Sequence, residues 1–125
     1  MEIIQFGGTK KEQTELAQLV LSGEKYATSS LKELQKIEGN LASQVGDLWE
    51  IRDGENKQVC LVEVTEVYNK PFGEIEEAFA VAEGDGTYIN WFNIHNKYYG
   101  EKLKNYGVSL DKETILECVF FKVKK

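Results

Sequence analysis

The chain has 125 residues, 42% of them apolar and 29% charged, with 11 Gly, a single Pro and a net charge of −6. That length closes one core and is too short for two, so a single domain spanning 1–125 is expected, and the composition argues against both disorder and a repeat array. The acidic balance argues against non-specific binding of nucleic acid, which draws on surplus Lys and Arg to neutralise phosphates, and no apolar run approaches the ~20 residues that cross a bilayer.

In chain order, the opening MEIIQFGGTKK lacks a basic stretch followed by a long apolar one, so nothing directs export and a cytoplasmic protein without membrane partners is expected. TKKEQTELAQLVLSG pairs Thr9 with Glu12 as a capping box, carries Leu16, Leu19 and Val20 at helical spacing and stops at Gly23, which predicts a helix. SLKELQKIEG repeats that grammar, with Ser30 and Glu33 as a second box, Leu31, Leu34 and Ile37 on one side and Gly39 as terminator. Between the two helices lies the polar GEKYATSS, richer in Lys and hydroxyls than a simple joint requires.

LWEIRDGENKQVCLVEVTEVY alternates and breaks at Asp53-Gly54, which predicts a β-hairpin with Trp49 and Ile51 facing one way and Val62 and Val64 continuing the ladder. PFGEIEEAFAVAEGDG reads as a loop at Pro71 and a short helix ending near Glu83. TYINWFNIHNKYYGEKLKNYG starts at a Thr87 cap and brings Trp91, His95, Tyr98 and Tyr99 to one helical face. ETILECVFFKVK reads as a strand paired with the hairpin. Helices between separate clusters of strands indicate an α+β fold.

Cys60 and Cys118 sit in alternating apolar stretches, as buried reduced thiols do. One His and two isolated Cys give no metal-ligand spacing, so neither a metal nor another cofactor is expected. Each polar candidate has two readings. His95 beside Trp91 faces a ligand or belongs to the core; Ser30 is a site hydroxyl or a helix cap; Lys25 is a site lysine or a surface one. Lys25 and Thr28 share a face only if the chain turns between them.

These residues resemble the ASCH domain family, whose fold is similar to the PUA domain of RNA-modification enzymes. The resemblance rests on GEKYATSS, which matches G-x-K-x-x-T-x-S through Gly23, Lys25, Thr28 and Ser30, on VGD at Val45 to Asp47, on KPFGEI from Lys70, and on AEGDGTYINWFNIHNKYY. It implies a small PUA-like β-barrel with flanking helices and a cleft beside the lysine motif. It implies either of two activities, amide hydrolysis of an acetylated cytidine without metal or RNA binding and cleavage. For the hydrolase it implies Lys25, Thr28 and Glu83 as the catalytic set, with Gly23, Tyr26, Ser30, Trp91 and His95 toward substrate. Tyr26 stands where a small or hydroxyl residue is usual, and Phe92 replaces a frequent basic residue.

A neutral Lys25 would accept a proton, and a charged one would stabilise an oxyanion. Tyr26, Trp49 or Trp91 could stack on a base. Three readings stand: a hydrolase of a modified nucleoside, an RNA-binding or RNA-cleaving module, and a structural adaptor. The first is preferred because the acidity suits a small nucleoside better than a long RNA. On that reading Lys25→Ala and Thr28→Ala abolish turnover and leave the melting temperature nearly unchanged, whereas Ser30→Ala removes a cap.

Overall fold

The computed structural model describes residues 1–124. In chain order these form β1 (Glu2–Ile4), α1 (Lys10–Ser22), β2 (Ala27–Leu31), α2 (Lys32–Glu38), β3 (Leu48–Arg52), β4 (Gln58–Pro71), a 3-10 turn (Phe72–Glu74), α3 (Glu77–Ala82), α4 (Tyr88–Lys104) and β5 (Ile115–Val123).

Local chemistry sets several of these bounds. The Thr9 hydroxyl accepts from the Glu12 amide at 3.1 Å to start α1, and Gly23, at φ 88°, ends it. Thr87 starts α4 by accepting from the Asn90 amide at 3.1 Å. β3 and β4 form the expected hairpin, with Trp49 opposite Val62 and Ile51 opposite Cys60. In its turn the Asp53 carboxylate accepts from the amides of Glu55 and Lys57, and Asn56 takes the left-handed conformation at φ 62°. Gly54 answers a different need, since a Cβ there would lie 2.1 Å from the Lys10 carbonyl oxygen.

The polar segment departs from the sequence reading. GEKYATSS does not join two capped helices: Ala27–Leu31 is a strand, paired antiparallel with β5 from Ala27 opposite Phe120 to Leu31 opposite Leu116. Ser30 is therefore not the cap of α2, whose N-cap residue is Leu31 with no side-chain cap bond. Five paired residues outcompete one local cap, and Ser30 Oγ instead accepts from Gln35 Nε2 at 3.3 Å. β1 is an addition, three residues pairing parallel with β3.

The sheet is a mixed half-barrel of order β1-β3-β4-β5-β2, with β1 and β2 at its edges. One face buries Trp49, Ile51, Val62, Val64, Val119 and Phe121 against Ala17 and Val20 of α1. The other buries Ala27, Leu31, Leu116 and Cys118 against Leu34, Phe79, Trp91, Tyr99 and Leu103. Because β5 is covered on both faces, Leu116 to Val119 are buried consecutively, while Phe120 is only half-buried. Ile51 is fully buried, so Ile51→Ala should destabilise by ~2–5 kcal/mol. Cys60 and Cys118 are buried free thiols. Among the described residues no helix is long and apolar enough to cross a membrane.

Candidate functional site at the edge of β2

An edge strand presents unpaired carbonyls that invite a further strand. On β2 two of them are taken by side chains. Ala27 O accepts from Lys25 Nζ at 3.0 Å, and Ser29 O accepts from the Tyr99 hydroxyl at 2.8 Å. The segment before β2 is fixed by its backbone: Lys25 N donates to Leu19 O at 3.0 Å and Tyr26 N donates to Ala82 O at 2.8 Å. These bonds seat Lys25 between the ends of α1 and α3.

Lys25 Nζ also donates to Glu83 O at 3.1 Å and lies 3.7 Å from Glu83 Oε1. Both side chains are buried, at 5% and 4% exposure. Glu83 is presented by the last turn of α3, and Gly84 turns the chain away at φ 94°, where a Cβ would sit 3.4 Å from that of Lys25. The other carboxylate oxygen, Glu83 Oε2, accepts from Ser29 Oγ at 2.8 Å and from Trp91 Nε1 at 2.6 Å, with His95 Nε2 at 3.5 Å. The His95 ring stacks on Trp91 at 4.5 Å and its Nδ1 lies 2.8 Å from Trp91 O and 3.8 Å from Asp85 Oδ2.

The electrostatics follow from burial and these partners. Burial lowers the proton affinity of Lys25, against the opposing pull of the Glu83 and Asp85 charges. Burial alone would raise the Glu83 carboxyl, but the His95 hydrogen bond, the Lys25 and His95 charges and the Trp91 N–H outweigh it and hold the pKa down to about 2. Burial likewise works against the His95 cation, yet Glu83, the Trp91 carbonyl and Asp85 raise its pKa above the usual 6.5. Tyr99 is pushed well above the ordinary phenol by burial and by Glu83, so it remains a donor.

Beside this network lies a cleft of about 740 Å³ between the two sheet edges, lined by Phe6 after β1, Thr28, Ser29 and Ser30 of β2, Trp49 of β3 and Tyr98, Tyr99 and Lys102 of α4. Ser29 and Tyr99 are shared by the cleft and the buried network. So is Phe6, whose ring centroid is 4.8 Å from Lys25 Nζ. Strand alternation divides the hydroxyls. Thr28 pairs with Val119 and shares the α1 face, whereas Ser29 pairs with Cys118 and turns to Glu83.

Of the residues singled out in the sequence, Lys25 and Glu83 meet, while Thr28 and Ser30 line the cleft. Lys25 and Glu83 lie behind the cleft wall. Gly23 is the terminator of α1, and Tyr26 packs on Phe120 at 6.2 Å. Trp91 is fully buried and His95 mostly so, both serving the Glu83 carboxylate. Ser29, Phe6 and Asp85 were not anticipated. Reading β2 as a strand would have alternated Ser29 against Thr28 and exposed the first of these. Among the described residues no group of three or more His, Cys, Asp or Glu is placed to hold a metal ion.

A mixed half-barrel sheet with four helices defines a PUA-like α+β protein. The ASCH domain family model matches residues 2–125, and the chain belongs to that family. The structure is similar to the crystal structure of an ASCH domain from Lactobacillus crispatus JV V101, with a TM-score of 0.93 and 27% identity over 98% of this chain and 78% of that one. It is similar also to that of a protein from Enterococcus faecalis V583, with a TM-score of 0.92 and 30% identity over 99% and 76% of the respective chains. No curated protein matches the chain.

Proposed function

We propose that the protein is a metal-independent hydrolase acting on the amide of an acetylated cytidine or a related modified nucleoside, with Lys25, Thr28 and Glu83 as its reactive set. The observation that carries this reading is the buried Lys25–Glu83 pair at 3.7 Å, set against a cleft of nucleoside scale through Ser29, Tyr99 and Phe6. A buried ion pair is a poor way to stabilise a fold, and strongly perturbed groups beside a cleft are a mark of chemistry. Among the charged residues lining that cleft Glu2, Glu38 and Glu117 outnumber Lys102, which suits an uncharged nucleoside and opposes a phosphate chain.

In the reaction an oxygen of water or of Thr28 adds to the acetyl carbon, and the resulting oxyanion is lowered in energy by the Lys25 ammonium. Burial makes Lys25 readier than a free lysine to pass its proton to the departing amine nitrogen, and Lys25 takes back the proton of the attacking hydroxyl, whether of water or of Thr28. If Thr28 attacks, the product is an acetyl ester of Thr28; water then adds to it, the bond to the Thr28 oxygen breaks, one proton of the water restores the hydroxyl, and acetate and a proton leave. Glu83 stays ionised throughout and holds Lys25 in place. The Phe6 ring must give way for substrate to meet the ammonium, and Gly7, at φ 101°, and Gly8 follow it in the chain.

The fold itself supports a second reading, an RNA-binding or RNA-cleaving module. Incubating the protein with N4-acetylcytidine and, separately, with a short single-stranded RNA distinguishes them. Release of acetate and cytidine, unaffected by chelator and with the RNA intact, is expected. RNA cleavage or tight RNA binding without acetate release would transfer the assignment to the second reading.

A further inference from the structure

Trp49 lies on β3 opposite Val62, on the α1 face of the sheet, and is buried at 4% exposure while lining the cleft. Its ring packs against Phe121 at 5.9 Å. Among the described residues its indole Nε1 is the buried side-chain polar atom with no hydrogen-bond partner. The contrast with Trp91, whose N–H is bonded to Glu83 at 2.6 Å, is direct. Buried donors are almost always paired, so an orphan in a cleft wall calls for a reason. A phenylalanine would fill most of the same volume without burying a donor.

We propose that the Trp49 indole N–H is the cleft's donor to the ring carbonyl of a bound pyrimidine, an inference that rests on the nucleoside reading of this cleft. An indole N–H can only donate, so its partner must be an acceptor. In an acetylated cytidine the acetyl carbonyl is needed at Lys25, which leaves the acceptors of the ring, foremost its 2-carbonyl. The apolar surroundings make the choice selective, because a ligand lacking that acceptor leaves a buried donor unpaired. Access is shared with the catalytic pair. Phe6 stacks on Phe121 at 6.1 Å, Phe121 contacts Trp49, and Phe6 covers Lys25, so a displacement of Phe6 that frees Lys25 also loosens the packing next to Trp49.

The test uses cytidine, the reaction product, so that binding is read without turnover. The chain has two Trp, and Trp49→Phe assigns their indole proton resonances by NMR. Titration with cytidine should move the Trp49 indole proton downfield. Trp49→Phe should weaken cytidine binding by ~10-fold, the weight of one hydrogen bond, while leaving the melting temperature of the free protein unchanged or higher. A pyrimidine nucleoside without the 2-carbonyl should bind the native protein about 10-fold more weakly than cytidine does and bind Trp49→Phe no worse than cytidine does. Cytidine binding that leaves both indole resonances unmoved overturns the inference alone, even if the variant fails to fold. Equal cytidine affinity in native protein and variant does the same. Failure of any pyrimidine nucleoside to bind overturns both this inference and the hydrolase reading.

Discussion

Among the described residues two carboxylates are buried, Glu117 and Glu83, and their partners differ. Glu117 of β5, at 1% exposure, accepts from Lys32 Nζ at 3.0 Å, Gln35 Nε2 at 3.1 Å and Ser43 N at 3.3 Å. These donors belong to α2 and the segment after it, so Glu117 ties those pieces to the sheet, and its lysine keeps 22% of its side chain in solvent. Glu83 instead faces a lysine as buried as itself and a histidine whose pKa it raises. Burial alone does not separate a clamp from a reactive group. What separates them is whether the partner charge is buried too and whether protons can move among the partners.

The largest expected contrast comes from neutralising each carboxylate in turn. Glu83→Gln should reduce turnover of N4-acetylcytidine by at least ~100-fold and lower stability by ~3 kcal/mol, because it strands the buried Lys25 charge. Glu117→Gln should keep turnover within about threefold and cost ~1–2 kcal/mol, since the amide oxygen still accepts from some of the same donors. Urea unfolding and a rate assay on both variants check this, and equal losses of activity would erase the distinction. The geometry also reverses the expectation that Lys25→Ala leaves the melting temperature unchanged. Removing a 5%-exposed ammonium that satisfies two carbonyls and a carboxylate should lower it clearly.

A smaller contrast separates the adjacent hydroxyls. Thr28→Ala should lower kcat by ~100-fold if Thr28 is the attacking group, with a stability change below ~1 kcal/mol. Ser29→Ala removes a donor to Glu83 and should lower stability by ~1 kcal/mol while retaining measurable turnover. Steady-state kinetics and thermal melts on the pair decide this, and the opposite pattern would make Ser29 the reactive hydroxyl.

The smallest effects are those of pH. Glu83 has its folded pKa depressed from 4.5 to about 2, so the stability it contributes is present above pH 4.5 and is lost as pH falls toward 2. His95 has its folded pKa raised, so its contribution is complete below pH 6.5 and fades as pH rises through the folded value. Chemical unfolding across pH should show both slopes. Glu83→Gln should flatten the acid one, and His95→Phe the one near neutrality.

The elements legible in the sequence were those with period and punctuation. α1 and α4 carry Thr caps, the hairpin alternates about Asp53-Gly54, and β5 is rich in β-branched and aromatic residues. β1 is three residues long, too short for any period to register. β2 is masked in the sequence because Ser30 and Glu33 mimic a capping box, and nothing local reveals that β5 offers it a partner 89 residues away, as Ser29 pairs with Cys118 at the middle of the strand. The same mimicry hid Ser29. Lys25 and Glu83 were named through resemblance to a family motif. Their meeting depends on a tertiary contact between the segment before β2 and the end of α3.

The central claim is that the Lys25–Glu83 pair serves a reaction and not the fold, and the double replacement Lys25→Met with Glu83→Leu tests it most directly. Both charges vanish together, so neither is left buried facing an empty place, and apolar side chains of similar volume fill the space, although Trp91 Nε1 and Ser29 Oγ lose their shared acceptor. The measurement is the melting temperature and N4-acetylcytidine turnover of this one variant. The account predicts a folded variant that loses less melting temperature than Lys25→Ala alone and shows no detectable release of acetate. A folded double variant that still releases acetate at the native rate would contradict it.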